Sequence, residues 1–276
     1  MTMSRIERQR VERVFMSGII NIATKAAYLA GNVIQQGSRN PANLRVEKKG
    51  ERGDYVTDLD KKSEQIIIDT IKKAFPTHNI LSEEMGEEDN KSEYTWIIDP
   101  IDGTTNFIHG HPQYSISIAV KQGNRITHGV IFDPNRNDLY KAELGRGAYI
   151  NDKRLRVAKA TSLTDALIGT GFPSWDVTLL DKYLLIFKDL LLNSGGQRRT
   201  GSAALDLAYV AAGYLDGFWE FNLKPWDIAA GTIIVKESGG LVTDFNNTQD
   251  FWQSGNIVAA NPKILNELLK VIQKHL

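Results

Sequence analysis

The chain has 276 residues, 42% of them hydrophobic, the make-up of an ordinary globular protein. Lys plus Arg and Asp plus Glu number 33 each, so the net charge is zero, which argues against a bulk electrostatic partner such as a nucleic-acid backbone or an anionic membrane. Cysteine is absent, which removes disulfides, thiolate metal sites and a cysteine nucleophile, and leaves oxygen or imidazole ligands for any metal.

The opening stretch "MTMSRIERQRVERVF" is Arg-rich but carries Glu7 and Glu12 and lacks the apolar segment of a secretory signal. Residues 1–15 are expected to be a frayed or helical leader, with Met16 an alternative start. No apolar run is long enough to span a bilayer, and the chain is placed in the cytoplasm.

Residues 19–36 set Ile19, Ile22, Ala23, Ala26, Leu29, Ala30, Val33 and Ile34 on one stripe, which predicts a helix closed by Gly37. "SRNPANLRVEKKGERGD" follows, polar and punctuated by glycine, and reads as a loop. A second helix is predicted over 61–75, with Ile67, Ile71 and Ala74 along a face and Pro76 ending it. "NILSEE" reads as a short strand. Strand signals then crowd at Trp96–Ile98, Tyr114–Val120, Ile126–Phe132, Leu139–Ala142 and Ala148–Ile150. Turns at "QGN", "GRG" and "NDK" separate several of them, implying hairpins and an antiparallel sheet. The second half alternates. "ALIGTG" is a strand, 177–192 and 202–213 are helices, "LDGFWEF" is a strand, and 227–238 is a helix ending at Gly239-Gly240. "LVTDF" and "NIVAA" are strands, and 262–274 is a helix. Alternating helical and strand layers predict an α/β sandwich, with an α+β half at 16–160 and an α/β half at 161–276 forming one compact unit.

The chemistry concentrates in "WIIDPIDGTTNF", where a buried strand runs into Asp99 and Asp102. Pro100 biases Asp99 toward extended geometry and is expected to end the strand there. Asp102 then turns back toward Asp99, and Gly103 allows close approach. Carboxylates this near stay ionised only beside a cation, and hard oxygen ligands on a tight turn suit Mg²⁺. The same residues fit a plain Asp-Gly turn or a cap. The spacing is not that of a calcium loop. Thr104-Thr105-Asn106 offers backbone N–H groups where a helix begins, a place that binds phosphate.

These motifs, with "SEE" upstream and "KPWDIAAG" downstream, resemble the inositol monophosphatase family of magnesium-dependent, lithium-sensitive phosphatases. "RRTGSAALDLAYVAAG" resembles its bacterial inositol-1-monophosphatase branch, and the resemblance covers the chain after Met16. It implies a layered αβαβα sandwich of the inositol monophosphatase and fructose-1,6-bisphosphatase type, usually a homodimer. It implies two or three Mg²⁺ per site, held by Glu83, Asp99, the carbonyl of Ile101, Asp102 and Asp227, with Lys49 near a third, looser ion. It implies that Thr104 relays to Asp60 to orient the attacking water, with Thr57 nearby, and that the Gly103 and Thr104 amides hold the phosphate. Asp102, Asp227, Glu220, Arg198 and the Gly201-Ser202-Ala203 backbone would meet the substrate.

Taken without the family, Glu83-Glu84 fits a solvated loop pair as well as a ligand pair, "TDLD" is a helix cap, Asp227 an N-cap, Arg198 an exposed ion pair, and Gly201-Ser202-Ala203 fits helix packing as well as close approach to a substrate. His109 and His111 are read as surface or packing residues. Trp219, Phe221, Trp226, Phe251 and Trp252 are read as core or dimer contacts. The implied activity is hydrolysis of a myo-inositol monophosphate to inositol and phosphate by metal-activated water. Fructose 1,6-bisphosphate or 3′-phosphoadenosine 5′-phosphate are alternative substrates for the same chemistry. A further alternative is a binding role with the transcription or ribosomal RNA assembly machinery, without direct nucleic-acid binding.

Overall fold

The computed structural model describes residues 18–38, 44–49, 55–173 and 176–276. The expected leader at 1–15 lies outside them. The helix α1 (Gly18–Ser38) buries Ala23, Ala26, Ala30 and Ile34 of the predicted stripe together with Ile20 and Ala27, while Ile19, Ile22 and Val33 are half-buried at its edge and Leu29 is exposed. It packs beside α2 (Asp58–Ala74), and the pair lies on the central strands of a sheet. Alanines and Gly31 keep α1 close, so that Phe132 of the sheet sits against the Gly31 backbone.

That sheet has eight strands in the order β10-β9-β8-β7-β6-β5-β3-β4. They are β3 (Asn79–Ser82), β4 (Gly86–Glu88), β5 (Tyr94–Asp102), β6 (Ser115–Gln122), β7 (Arg125–Asp133), β8 (Asp138–Glu143), β9 (Gly147–Ile150) and β10 (Lys153–Arg154). From β5 outward through β10 it is an antiparallel meander, as the turn signals require. β3 instead runs parallel to β5, because β4, antiparallel to β3 on its far side, returns the chain to the same end. A separate ribbon pairs β1 (Val46–Lys48) with β2 (Tyr55–Thr57).

The second sheet has five strands in the order β12-β11-β13-β15-β14. These are β11 (Leu167–Thr170), β12 (Gly196–Arg198), β13 (Gly217–Glu220), β14 (Leu241–Thr243) and β15 (Ile257–Ala260). Between the sheets lie α5 (Ala203–Ala212) and α6 (Pro225–Glu237), after the short α3 (Thr104–Ile108) and α4 (Leu180–Asn193) in chain order. Both middle helices are apolar all round, as elements covered on two sides must be. The short α7 (Phe251–Ser254) precedes β15, and α8 (Pro262–Gln273) packs with α4 on the outer face of the second sheet. The layers therefore run αβαβα, an α/β sandwich.

The middle core draws Ile97, Ala119 and Ile131 from the first sheet together with Phe218, Ile257 and Ala259 from the second. The helices seal onto the first sheet through small residues. A methyl group on Gly129 of β7 would lie 2.7 Å from the Ala230 carbonyl oxygen and 2.6 Å from Ile233. Backbone cannot yield as a side chain can, so Gly129→Ala should destabilise the fold by about 1–3 kcal/mol in urea unfolding.

Candidate active site

The site forms at the end of β5. Asp99 pairs with Ser117 and Asp102 with Ser115, and the register slips between them. The strand does not stop at Asp99, as Pro100 had suggested. It continues to Asp102 through a bulge, where a residue without an N–H costs no ladder bond. The Ile101 N–H donates to Asp99 Oδ1 at 3.0 Å, which closes the bulge on itself.

Each acid is fixed by a different element. Asp102 accepts from the Ser202 hydroxyl and from the Ala204 N–H at 2.8 Å, so it sits at the N-terminus of α5. Ser202 is the N-cap of that helix. Asp227 lies in the first turn of α6 behind Pro225. It is not the N-cap; from the third helical position its Oδ2 reaches back to the Lys224 N–H at 2.6 Å. Glu83 follows β3, whose register sets Ser82 beside Ile98, and its N–H donates to the Ile98 carbonyl at 3.2 Å. That places Glu83 next to Asp99. One oxygen from each of Asp99, Asp102 and Asp227 lies within 4.8 Å of the others.

The charges conflict. Burial, and then the carboxylates of Glu83, Asp102 and Asp227, push the Asp99 carboxyl well above its ordinary range. Burial pushes Asp102 up to about 6, against the hydrogen bonds from Ser202 and Ala204. Burial and the Asp102 charge push Asp227 well above its usual value. Buried like charges with oxygen donors at this spacing fit a hard divalent cation such as Mg²⁺, which would relieve the repulsion. Ile101 lines the same cavity, and its carbonyl accepts from the Thr104 hydroxyl. Lys49 extends over the rim and bonds Glu83 at 2.9 Å and Glu84 as well. Burial works against its ammonium, but the Glu83 charge and both carboxylate contacts outweigh it and hold its pKa above the ordinary value. Burial pushes Glu84 up to about 7, against its bond to Lys49.

Beside the acids, Gly103 has φ 98, a left-handed conformation that favours glycine, and α3 begins at the next residue. A Cβ on Gly103 would meet the Gln113 and Gly201 carbonyls at 3.0 and 3.1 Å. The Thr104 hydroxyl lies 3.1 Å from Asp60 Oδ1 and 2.9 Å from the Ile101 carbonyl. Asp60 is buried and also takes the Thr57 N–H at 2.7 Å, completing a capping box at the start of α2. The helix-cap reading of "TDLD" and the Thr104 contact therefore hold together. Burial pushes Asp60 up to about 6, against the hydrogen bonds from Thr57 and Thr104.

A cavity of about 1000 Å³ opens over these groups. It brings Glu83, Asp99, Ile101, Asp102, Gly103, Thr104, Gly201, Ser202, Ala203, Glu220 and Asp227 together with Lys49, while Asp60 stands behind Thr104. Glu220 presses on the bare Cα of Gly171, where a Cβ would fall 1.9 Å from its Oε1. Burial, followed by Asp206 and Asp227, raises the Glu220 carboxyl well above its ordinary range. Arg198 does not line this cavity. It borders a second depression with Arg136, Tyr140 and Tyr209, and its neighbour Arg199 turns inward instead, 4.9 Å from the Phe172 ring centre. Successive residues of an extended segment face opposite sides, and one position decides which arginine faces the site. Trp219 and Phe251 are core residues, Phe221 is buried and also lines the cavity, and Trp226 and Trp252 border it. His109 and His111 are exposed.

Read from the sequence, Asn106 has only a backbone role and Glu64 has none. The Asn106 side chain donates to the Gln113 carbonyl at 2.7 Å and the Thr200 carbonyl at 2.9 Å, tying the cradle to the C-terminal half. Glu64, fully buried on α2, accepts three donors from the "SEE" turn. The signal for Glu64 was its spacing from Asp60 and Ser63 on one helical face.

The model of the inositol monophosphatase family matches residues 16–276. A Pseudomonas aeruginosa protein named Nus factor SuhB is 47% identical over 266 residues, covering 95% of this chain and 98% of its own length. The crystal structure of the extragenic suppressor protein suhB from Bartonella henselae is 41% identical, with a TM-score of 0.91 over 94% of this chain and 100% of that one. The inositol monophosphatase from Anabaena is 35% identical, with a TM-score of 0.81 over 94% of this chain and 96% of that one.

The carboxylate cluster sets a pH dependence. A carboxyl raised in the folded state contributes stability that is complete below its unfolded pKa and lost as pH rises through its folded one. For Asp102 and Asp60 that window runs from 3.8 to about 6. Without divalent ions, the melting temperature should therefore fall across this range. Asp99→Asn should flatten the fall and raise the metal-free melting temperature at pH 7, while removing most of the stabilisation by added Mg²⁺. Thermal unfolding in chelator and in Mg²⁺ checks both.

Proposed function

Because the chain belongs to the inositol monophosphatase family, a family of phosphatases, we propose that it hydrolyses myo-inositol monophosphate to inositol and inorganic phosphate. The observation that carries this reading is the convergence of Asp99, Asp102 and Asp227 within 4.8 Å, beside the Gly103 turn and the Thr104–Asp60 contact. Glu83, Asp99, the Ile101 carbonyl, Asp102 and Asp227 would hold two or three Mg²⁺. When bound, Mg²⁺ neutralises the acids and the phosphate ester and makes water a usable nucleophile near neutral pH.

The chain's own groups do the rest. The Gly103 and Thr104 amides, at the start of α3, hold phosphate oxygens. The Thr104 oxygen accepts a hydrogen bond from the attacking water and passes its own proton toward Asp60 Oδ1. Asp60, raised to about 6, is matched to take up a proton near neutral pH. Asp102, Asp227 and Glu220 accept hydrogen bonds from polyol hydroxyls, and the Gly201-Ser202-Ala203 backbone shapes the wall. Arg199 supplies the cation that faces the substrate, and Arg198 stands on the outer side of the same segment. On this reading the enzyme is lithium-sensitive and works as a homodimer.

The acid set serves any phosphate monoester equally, so the pocket wall chooses the substrate. Phosphate release measured across myo-inositol monophosphate, fructose 1,6-bisphosphate and 3′-phosphoadenosine 5′-phosphate should be fastest for the first. A faster second or third compound would reassign the substrate. Thr104→Ala should lower kcat by about 10²–10⁴-fold and leave Mg²⁺ binding, measured calorimetrically, unchanged.

A second reading rests on the relatives named Nus factor SuhB. It gives the same fold a partner in the transcription machinery, with exposed groups such as Arg198 available for contact. Asp99→Asn, inactive as a phosphatase, should still bind purified transcription complexes if surface contacts carry this role. Loss of binding together with turnover would tie the role to the metal site.

A further inference from the structure

The turn that carries Glu83 and Glu84 is held in an unusual way. It joins β3 to β4, with Ser82 opposite Gly86. Its one large apolar side chain, Met85, is 60% exposed, so apolar packing does not fix the turn. A solvent-facing turn normally leaves its amides to water. Here they point inward, to the carboxylate of Glu64. The Glu84 N–H donates to Glu64 Oε2 at 3.0 Å, the Met85 N–H to Oε1 at 2.7 Å, and the Ser82 hydroxyl to Oε1 at 3.0 Å. The remaining member, Glu83, gives its N–H to Ile98 of β5. Every residue from 82 to 85 thus has a donor captured, and a single buried side chain captures three of them.

Glu64 does not act alone on its helix. Asp60, Ser63 and Glu64 stand at i, i+3 and i+4, a spacing that gives them one face of α2. All three are fully buried. Asp60 meets Thr104, Ser63 donates to the Pro100 carbonyl at 3.2 Å, and Glu64 holds the turn of Glu83. The two ligand-bearing segments, 99–104 and 82–85, are therefore registered against the same rigid turn of helix.

We propose that Glu64 is the positioning residue of this site: it fixes the backbone of the turn so that Glu83 faces Asp99 and the metal-binding oxygens are pre-assembled. The proposal rests on the metal-dependent reading above. Glu64 touches neither the substrate nor the reacting atoms. It acts through the backbone of its neighbours, as groups outside the ligand sphere do when they orient ligands. A glutamine in its place keeps one acceptor and turns an NH₂ toward an N–H, so part of the turn is released.

The test is Mg²⁺ binding to the full-length protein by isothermal titration calorimetry, alongside the Mg²⁺ dependence of phosphate release. Glu64→Gln should weaken Mg²⁺ binding by about 10–100-fold. It should raise the Mg²⁺ concentration for half-maximal activity in parallel, with kcat and substrate KM close to wild type at saturating Mg²⁺. A merely structural role would lower the melting temperature and leave that split absent. Unchanged Mg²⁺ affinity in folded Glu64→Gln, or an activity loss that excess Mg²⁺ does not restore, overturns the proposal. If that variant does not fold, Ser82→Ala removes one donor and leaves the carboxylate. It should weaken Mg²⁺ binding by about two- to tenfold, and an unchanged affinity there also overturns the proposal. Wild-type protein that binds Mg²⁺ but releases no phosphate defeats the hydrolase reading instead, and the calorimetric comparison still decides the role of Glu64.

Discussion

Repulsion between buried carboxylates is the constraint around which this molecule is arranged. Like charges about 4 Å apart repel by about 4 kcal/mol each at an effective dielectric near 20. A flexible loop carrying Asp99, Asp102 and Asp227 would spread them. They stay within 4.8 Å of one another because they belong to elements whose positions are set elsewhere. Asp99 and Asp102 end a strand buried in the centre of the first sheet, and Asp227 starts a helix sealed between both sheets. Separate apolar cores clamp those elements from both sides. Burial of apolar surface across the layers thus offsets a local repulsion that a divalent cation would relieve.

The same arrangement explains how one cavity suits both a cation and an anion. The starts of α3, α5 and α6 all border it, at Thr104, Ala203 and Pro225. Helix N-termini present N–H groups and positive dipole ends, which favour phosphate. The acids sit among those N-termini, and two accept their hydrogen bonds: Asp102 from Ala204, Asp227 from Lys224. Layering brings this about. The middle helices run between the sheets, so their first turns open at the edge where β5 ends and β13 brings Glu220.

Much of this was legible in the sequence because it is periodic or clustered. The apolar stripe of α1, the hairpin turns and the alternation of the second half fix element types directly. "DPIDGTT" places two acids and a cradle within a few residues. What escaped was set by long-range contact. The bulge at Pro100 depends on β6 lying alongside, with Ser117 and Ser115 opposite Asp99 and Asp102. β1 and β4 are exposed along their length, so no burial pattern marks them. Which arginine of "QRRTG" faces the cavity turns on a single residue of register. Glu64 sits in a polar stretch of α2 that reads as solvent-facing until the "SEE" turn is folded over it.

Several polar groups of the site serve twice. Asp60 closes the capping box of α2 and receives Thr104, Asp227 accepts from the N-cap N–H of α6 and joins the acid cluster, and Ser202 caps α5 and steadies Asp102. A cap is a rigid place to mount a functional group, since its geometry is already demanded by the helix. The dual use also sets opposing effects on stability. Losing such a carboxylate forfeits a cap of about 1 kcal/mol but relieves the repulsion of its neighbours. Asp99 caps no helix, and burial with the charges of Glu83, Asp102 and Asp227 pushes its carboxyl up, so losing its charge relieves repulsion without losing a cap but would remove a ligand from a bound cation. Stability and ligand binding therefore stand opposed at the residue where the strand meets the cavity.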